Sequence, residues 1–370
     1  MRSVIIIGPA HPYRGGIASF TERLAQEFIQ QDWQVEIINF TLQYPSFLFP
    51  GKDQFHDGPK PEDLKITPKI NTINPFTWGP TRKYINAQKP DLVIAQFWMA
   101  YVSFGIGKIL SKVKAPTLSI VHNVYPHERK PGDGSMITNY MKQSDKFLAL
   151  SRKVETDLLN FTSKENIRRS PHPVYDIYGT AIDRNQALKE LGLDPQKKYI
   201  LFFGLIRAYK GLDLLLDAFA NVASRRDEVE LIIAGEFYEN RQKYLEQIDR
   251  LKIKSKVHLF DHFIPNNRVH LYFSGCDLVA QTYHRATQSG IMQIAIEFEK
   301  PILVTKVGGL GEMIEDGKHG YVCEKDATEI GNKILEHFEQ PEGKFRTALQ
   351  DLKKEYSWDT FYQNIVTLTS

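Results

Sequence analysis

Short apolar runs alternate with amphipathic stretches along the whole chain. In the first half the apolar runs fall at residues 4–7, 34–40, 92–96, 117–122 and 146–149, and an amphipathic stretch covers about 18–31. Runs of this length that end in glycine or polar residues are typical of strands buried on both faces of a parallel sheet. The pattern therefore predicts successive βα units that build a doubly wound sheet.

The second half repeats this alternation. Strands are predicted at 199–203, 230–234, 257–260, 278–281, 302–305 and 320–322, with helices near 212–223, 241–252 and 290–298. We expect an α/β protein with two Rossmann-like domains, residues 1–175 and 176–356, joined within the Pro- and Tyr-rich segment 171–179. Residues 42–90, rich in Pro, Gly, Asn and Lys, are expected to form a long irregular insert that carries Phe76 and Trp78.

Composition narrows the class of protein. A chain of 370 residues with 42% hydrophobic and 25% charged residues is long enough for two globular domains. Two cysteines indicate no disulfide framework, and the first residues form a strand and not a leader, so a cytoplasmic location is expected. No apolar stretch approaches the roughly 20 residues of a membrane-spanning helix.

The net charge of +3 conceals an asymmetry between the halves. Residues 1–175 hold 22 Lys+Arg and 15 Asp+Glu, whereas residues 176–370 hold 25 and 29. The basic half predicts an anionic partner. Because no basic run is interleaved with aromatics, nucleic acid is disfavoured, and a phosphorylated small molecule or an anionic lipid surface is expected.

The segment 203–211 carries the most specific chemistry. Gly204 ends a buried strand, and Arg207 and Lys210 follow in the loop at its carboxyl end, where open α/β sheets bind ligands. An Arg fork beside a Lys point charge suits a diphosphate. A solvated basic turn before a helix is the alternative.

Other strand ends of the second half add candidate binding residues. Gly235, after the strand at 230–234, would let a nucleotide pass close to the backbone, and Phe263 would either line a base pocket or pack in the core. At the start of the helix near 290, donors suited to a pyrophosphate or sugar are expected, although ordinary N-capping explains part of the pattern. These donors come from Thr287, Gln288, Ser289 and Gly290.

The first half offers a glycine loop and a histidine. Gly15 and Gly16, beside Arg14, join a strand to a helix, where close backbone approach and free N–H groups favour an anion, unless the turn merely needs glycine. His122 follows the strand at 117–122 and would hydrogen-bond a sugar hydroxyl or a departing phosphate; capping a helix or binding a loop carbonyl is the alternative. His127 and Glu128 are acceptor-side candidates, and their spacing does not form a metal site.

Together these motifs resemble the retaining nucleotide-sugar glycosyltransferases of the GT-B fold, in the group called glycosyltransferase family 4. The resemblance runs from Gly15-Gly16 through Gly204-x-x-Arg207-x-x-Lys210-Gly211 and Gly308-Gly309-x-x-Glu312 to Ser357-Trp358. It implies two domains that face each other across a cleft, and a C-terminal helix, 357–370, that crosses back to the first domain. It also implies that Arg207 and Lys210 hold the donor diphosphate, while Gly15-Gly16 close over donor phosphate or acceptor and His122 contacts the transferred sugar.

One feature departs from this family. Two glutamates, eight positions apart, usually precede the helix that ends at the position of Pro301, and their places are taken here by Ala286 and Ile294. Gln288 and Gln293 lie nearby and would take neutral hydrogen-bonding roles. The stretches 44–51, 74–78, 122–128 and 286–290 resemble a branch of the family with its own pattern, so a variant site is expected.

The sequence thus predicts transfer of a hexosyl unit from a nucleoside-diphosphate sugar to an acceptor hydroxyl, with retention, in polysaccharide or glycolipid assembly. No cofactor or metal is expected, because no Asp-x-Asp pair follows a strand. The basic half and the aromatic insert favour a lipid-linked or saccharide acceptor at the membrane surface, unless these aromatics are core residues. Two alternatives remain: a sugar-nucleotide 2-epimerase of the same fold, and a non-catalytic sugar-nucleotide-binding protein.

Overall fold

The computed structural model describes residues 1–44, 54–55, 59–125, 132–286 and 289–370, except for the side chain of Glu312. Two compact units divide the chain. Unit one comprises Met1–His172 and Trp358–Ser370, and unit two comprises Pro173–Ser357. None of the helices within the described ranges combines the length and the apolar character that crossing a membrane requires.

Unit one is built on a parallel sheet. Its strands are β1 (Ser3–Ile7), β2 (Gln34–Leu42), β3 (Ile66–Asn71), β4 (Leu92–Phe97), β5 (Thr117–Val121), β6 (Lys146–Ala149) and β7 (Ile167–Arg169), in the order β3-β2-β1-β4-β5-β6-β7. Its helices are α1 (Gly16–Gln30), α2 (Trp78–Gln88), α3 (Ala100–Leu110), α4 (Asp133–Met141), α5 (Arg152–Leu158) and α14 (Trp358–Thr369). The strand order reverses between β1 and β4, which makes this edge the expected ligand side.

Unit two repeats the architecture. Its strands are β8 (Lys198–Phe203), β9 (Val229–Ala234), β10 (Val257–Phe260), β11 (Leu278–Gln281), β12 (Ile302–Thr305) and β13 (Gly320–Cys323), paired in parallel in the order β10-β9-β8-β11-β12-β13. Its helices are α6 (Arg184–Glu190), α7 (Leu212–Arg225), α8 (Gln242–Leu251), α9 (Val269–Gly275), α10 (Gly290–Glu297), α11 (Leu310–Met313), α12 (Ala327–Glu339) and α13 (Arg346–Glu355).

The local sequence explains these elements. Strand β8 reads Lys-Tyr-Ile-Leu-Phe-Phe and is buried after its first residue, because helices cover both faces of the sheet. Helix α7 buries Leu212, Leu215, Leu216 and Phe219 at helical spacing. Asp326 accepts the backbone N–H of Glu329 and so caps the start of α12.

The last helix, α14, belongs to unit one. In α14, the rings of Trp358 and Phe361 lie 5.3 and 5.6 Å from that of Phe20 on α1. The indole N–H of Trp33 donates to the Tyr362 hydroxyl at 2.9 Å. Aromatic packing and this hydrogen bond fix the helix against α1.

The prediction of an irregular insert over 42–90 is wrong for much of its length. Strand β3 and helix α2 lie within it. The strand was missed because it occupies the sheet edge, where Pro68 and Lys69 break the apolar run without disturbing the core. Trp78, the first residue of α2, is partly buried against Phe104 of α3, whereas Phe76 is 87% exposed.

Candidate functional site

The loop after β8 in unit two brings the two predicted cations together. Gly204, with φ of 97°, turns the chain at the carboxyl end of β8. A short 3-10 turn, Ala208–Lys210, then buries Lys210, which is only 8% exposed, while Arg207 stays exposed with its guanidinium 5.2 Å from the centre of the Tyr238 ring. We call this group, Gly204 with Arg207, Lys210 and Gly211, the β8 loop.

A glycine contact clamps the end of the β8 loop. Gly211, with φ of 68°, lies so close to Thr282 that an added Cβ would be 1.9 Å from the Thr282 carbonyl oxygen. The Thr282 hydroxyl in turn donates to the Gly211 carbonyl at 2.8 Å. Thr282 follows β11 directly, so the strand next to β8 in the sheet fixes where Lys210 is held.

Tyr283 connects the β8 loop to the start of α10. Its hydroxyl lies 3.2 Å from the Ser289 hydroxyl, and its ring centre lies 5.9 Å from the Lys210 ammonium. Ser289 caps α10 by accepting the backbone N–H of Ile291 at 3.3 Å. The predicted donors Ser289 and Gly290 thus stand at the same sheet edge as Lys210; Thr287 and Gln288 lie outside the described residues.

The environment of Lys210 disfavours the charged form of its side chain. Burial, reinforced by the neighbouring charge of Arg207, lowers the pKa of Lys210 from 10.5 to about 8. Among the residues that the structure describes, neither Lys210 nor Arg207 has a carboxylate within ion-pair distance. A buried ammonium without a carboxylate is a site prepared for an anionic ligand.

This setting predicts a pH-dependent gain in stability for Lys210→Met. Because the folded pKa lies below the unfolded one, the unfolded chain binds the proton more readily, and charged Lys210 destabilises the fold below pH 8. The cost is about 3 kcal/mol at pH 7 and disappears as the pH rises from 8 to 10.5. Lys210→Met should therefore raise the free energy of unfolding at pH 7 and approach wild type near pH 10.5.

Urea unfolding of both proteins between pH 7 and 10.5, without ligand, measures this difference. Lys254, an exposed lysine of the same unit, supplies the control, since Lys254→Met should change stability by less than about 0.5 kcal/mol. A Lys210→Met gain that stayed constant with pH would show that relief of strain, and not of a buried charge, is its cause.

The structure gives Gly235 a packing role that the sequence did not reveal. A Cβ on Gly235 would lie 2.2 Å from the carbonyl oxygen of Gly204, so the loops after β8 and β9 pass in direct contact. Phe263, after β10, is 63% exposed, which excludes the core-packing alternative. Gln293 is buried on α10, where its amide N–H donates to the Met313 sulfur at 3.6 Å.

Sequence reasoning missed Thr282, Tyr283 and Gln281. Gln281 ends β11 with its whole amide buried and without a hydrogen-bond partner among the described residues. A signal was present: Gln281-Thr-Tyr follows an apolar run at the edge where β8 ends. What the sequence does not show is that β11 pairs with β8, which places these residues beside the β8 loop.

In unit one, the predicted glycines begin α1. Gly15, with φ of 119°, is the N-cap, and the space around its absent side chain is open to 4 Å. Arg14 beside it is exposed, and its backbone N–H donates to the Gln54 carbonyl at 3.0 Å. Gly16 is the first helical residue, so the amide groups of the first turn are available at the ligand edge of this sheet.

His122 lies one residue beyond β5. Its Nε2 is 2.9 Å from the amide oxygen of Gln96, a distance at which the ring N–H donates, and the ring packs at 5.3 Å against Phe20. Burial and the nearby His172 lower the pKa of His122 to about 3, so the ring is neutral at physiological pH. It can offer a neutral hydrogen bond and no charge. His127 and Glu128 lie outside the described residues.

Within the described ranges, His, Cys, Asp and Glu side chains form no group of three or more that could hold a metal ion. Unit two presents two neighbouring cations and the start of α10 at one sheet edge, a combination that suits an anionic ligand. Unit one presents a helix start and a neutral imidazole. These two groups of residues are described separately, each within its own unit.

Two family models match this chain. Residues 14–175 match Glycosyltransferase Family 4, and residues 183–355 match Glycosyl transferases group 1. An uncharacterized glycosyltransferase of Methanocaldococcus jannaschii is 23% identical over 94% of this chain and 92% of that protein. The D-inositol 3-phosphate glycosyltransferase of Segniliparus rotundus is 26% identical over 69% of this chain, which spans 60% of that protein.

Solved structures share the fold. A glycosyltransferase from Rickettsia africae has a TM-score of 0.75 at 16% identity and covers 99% of this chain and 97% of its own. Anabaena Alr3699/HepE in complex with UDP has a TM-score of 0.69 at 17% identity and covers 99% of both chains. The predicted GT-B fold of two Rossmann-like domains is confirmed.

Proposed function

We propose that this chain, which belongs to the group 1 glycosyltransferases, transfers a hexosyl unit from a nucleoside-diphosphate sugar to an acceptor hydroxyl with retention of configuration. One observation carries the proposal. Buried Lys210 and the neighbouring Arg207 stand at the end of β8, and no carboxylate lies within ion-pair distance among the described residues. Two cations at this sheet edge match the charge of a diphosphate.

The donor diphosphate would bind the β8 loop and the start of α10. Arg207 would take two oxygens through its guanidinium fork, and Lys210 would neutralise the charge that remains. Ser289 and Gly290 would supply donors at a helix N-terminus. We propose that Gly235 and Phe263, with Thr287 and Gln288 outside the described residues, line the nucleotide and sugar, and that Gln293 has a neutral supporting role.

The reaction depends mainly on stabilising the negative charge that develops on the leaving diphosphate. As the sugar–phosphate bond breaks, negative charge accumulates on the phosphate oxygen, and preorganised cations stabilise it without reorganising. Neutral His122 would hydrogen-bond the transferred sugar, and Arg14, Gly15 and Gly16, with His127 and Glu128, would serve the acceptor side. With retention, the donor's own phosphate oxygen would assist the acceptor, and no cofactor or metal would be required.

The choice of donor is guided by the structure of Anabaena Alr3699/HepE in complex with UDP-glucose, which has a TM-score of 0.67 with this chain. We therefore propose testing uridine sugars first. For the acceptor we propose a lipid-linked saccharide at an anionic membrane surface, where the protein would associate peripherally from the cytoplasm. The basic first half and the exposed Phe76 support this choice.

The test is a transfer assay with labelled UDP-glucose, GDP-mannose and related donors. Each donor is offered to a lipid extract of bacterial membranes and, separately, to soluble oligosaccharides. We expect release of nucleoside diphosphate to require an acceptor, with label appearing in the organic-extractable fraction and the anomeric configuration retained by NMR. The Arg207→Ala protein is the matched control for the donor site.

The other outcomes discriminate the alternatives. An isomerised nucleotide sugar formed without acceptor would identify an epimerase and refute transfer. Donor binding without turnover under every acceptor would identify a sugar-nucleotide-binding protein. Label found only in soluble oligosaccharides would support the transferase activity and refute the proposed membrane acceptor.

A further inference from the structure

A cavity of about 290 Å³ opens in unit two at the sheet edge opposite the β8 loop. Its wall includes Lys198, the first residue of β8, and Asp277 and Pro301, which precede β11 and β12. The segment between α12 and α13 closes the other side. Since β8 has six residues, roughly 20 Å separates this cavity from Gly204. It is therefore a separate place from the proposed donor site.

Cations exceed carboxylates on the cavity wall. Five lysine or arginine side chains and three carboxylates line it. One carboxylate, Asp277, is fully engaged: Arg184 donates to it twice, at 3.0 and 2.8 Å, and the Tyr199 backbone N–H donates at 2.7 Å. Lys300 is also engaged, since it donates to the carbonyls of Ser274 and Cys276.

The remaining cations are available. Lys344 and Arg346 are exposed at the mouth, and neither has a carboxylate within ion-pair distance among the described residues. Lys198 reaches only Asp277, at 3.8 Å, and that carboxylate is already satisfied. Of the other two carboxylates on the wall, Glu299 accepts a hydrogen bond from Gln350 at 3.1 Å, and Glu342 is exposed.

Helix stability does not explain the placement of Lys344 and Arg346. Both stand at the start of α13, whose first turn contains no acidic residue. Positive charge at a helix start opposes the helix dipole and costs stability. The ammonium of Lys344 is held 5.2 Å from the centre of the Phe345 ring, beside the cavity.

We propose that this cavity binds a small phosphorylated molecule at Lys198, Lys344 and Arg346. Three cations on a concave wall attract a dianion more strongly than the same charges on a flat surface, because the protein walls focus the field. The guanidinium of Arg346 matches phosphate oxygens in pairs. The volume accommodates a phosphate with a small organic body. The site is independent of the transfer reaction proposed above.

The experiment measures binding to the full chain by calorimetry and by thermal shift at constant ionic strength. The probes are inorganic phosphate, pyrophosphate and glucose 6-phosphate, with glucose as the uncharged control. We expect saturable binding of the phosphorylated probes and none of glucose. Binding should weaken at least about tenfold in the double variant Lys344→Ala/Arg346→Ala, because two charge-assisted contacts are lost.

Two matched variants test where the probes bind. Arg250→Ala/Lys254→Ala removes the same number of charges from the surface around α8, and Arg207→Ala weakens the proposed donor site. Neither should weaken the binding of glucose 6-phosphate more than about twofold, whereas pyrophosphate also binds the proposed donor site and is not used for this comparison. Three results would each overturn the proposal: no saturable binding, a loss of glucose 6-phosphate binding in Arg250→Ala/Lys254→Ala equal to that in Lys344→Ala/Arg346→Ala, or a loss of glucose 6-phosphate binding in Arg207→Ala alone. Tighter binding of glucose 6-phosphate than of inorganic phosphate would support an organic ligand, and equal binding would support free phosphate.

Discussion

Replacing Arg207 by alanine is expected to lower the rate of sugar transfer by roughly 10²–10³-fold, the usual loss when one preorganised donor to developing charge is removed. The Arg207 guanidinium lies 5.2 Å from the centre of the Tyr238 ring, in the same loop as buried Lys210, so both cations stand at one sheet edge before a ligand binds. If it acts on the leaving diphosphate, kcat should fall more than the affinity for the donor, since the charge grows as the bond breaks.

The matched control is Arg226→Ala. Arg226, at the end of α7 in the same unit, pairs with Glu228 and Glu339 at 3.3 and 3.4 Å, so its removal deletes a guanidinium that is already satisfied. We expect less than about a twofold change in rate. If Arg207→Ala transferred sugar at an unchanged rate, the β8 loop would have no role in the reaction.

Combining substitutions separates the two cations. Arg207 and Lys210 act on the same charge, so the double variant Arg207→Ala/Lys210→Met should lose much less than the product of the single losses. Measurement of kcat and KM for the single and double variants gives this coupling. If the rate loss of the double variant equals the product of the two single losses, the cations act on different groups.

Local pattern was sufficient to predict most of the strands. The bounds of β6, β10, β11 and β12 agree with the predicted runs to the residue, because each run is short and mostly apolar. At the edge of the first sheet, the apolar pattern does not identify the strand. There β3 is exposed on one side, so Pro68 and Lys69 are tolerated and the apolar run is lost.

The candidate site was predictable only in part. Arg207 and Lys210 follow a strong strand signal, and their meeting at a sheet edge follows from parallel topology alone. The clamp of Gly211 by Thr282 joins residues 71 positions apart, and no spacing in the sequence encodes it. Lys210 directly precedes that clamp and is buried, so the electrostatics that favour an anionic ligand appear only in the folded chain.

The largest expected loss of stability comes from Gly211→Ala. An alanine Cβ would lie 1.9 Å from the Thr282 carbonyl oxygen, which is backbone and cannot move aside without shifting the end of β11. The left-handed φ of 68° adds about 1 kcal/mol of strain, and the overpacking costs a further 1–3 kcal/mol. We expect unit two to lose about 3 kcal/mol and its Tm to fall by about 6–12 °C.

Gly317→Ala separates strain from contact. Gly317 has a similar φ of 76°, but nothing lies within 4 Å of its missing Cβ, so only the backbone strain of about 1 kcal/mol should be lost, or about 2–4 °C. Because Gly211 follows Lys210 directly, folded Gly211→Ala protein should also bind nucleoside diphosphate more weakly, whereas Gly317→Ala should not. Equal destabilisation by the two substitutions would show that the Thr282 contact does not hold the β8 loop.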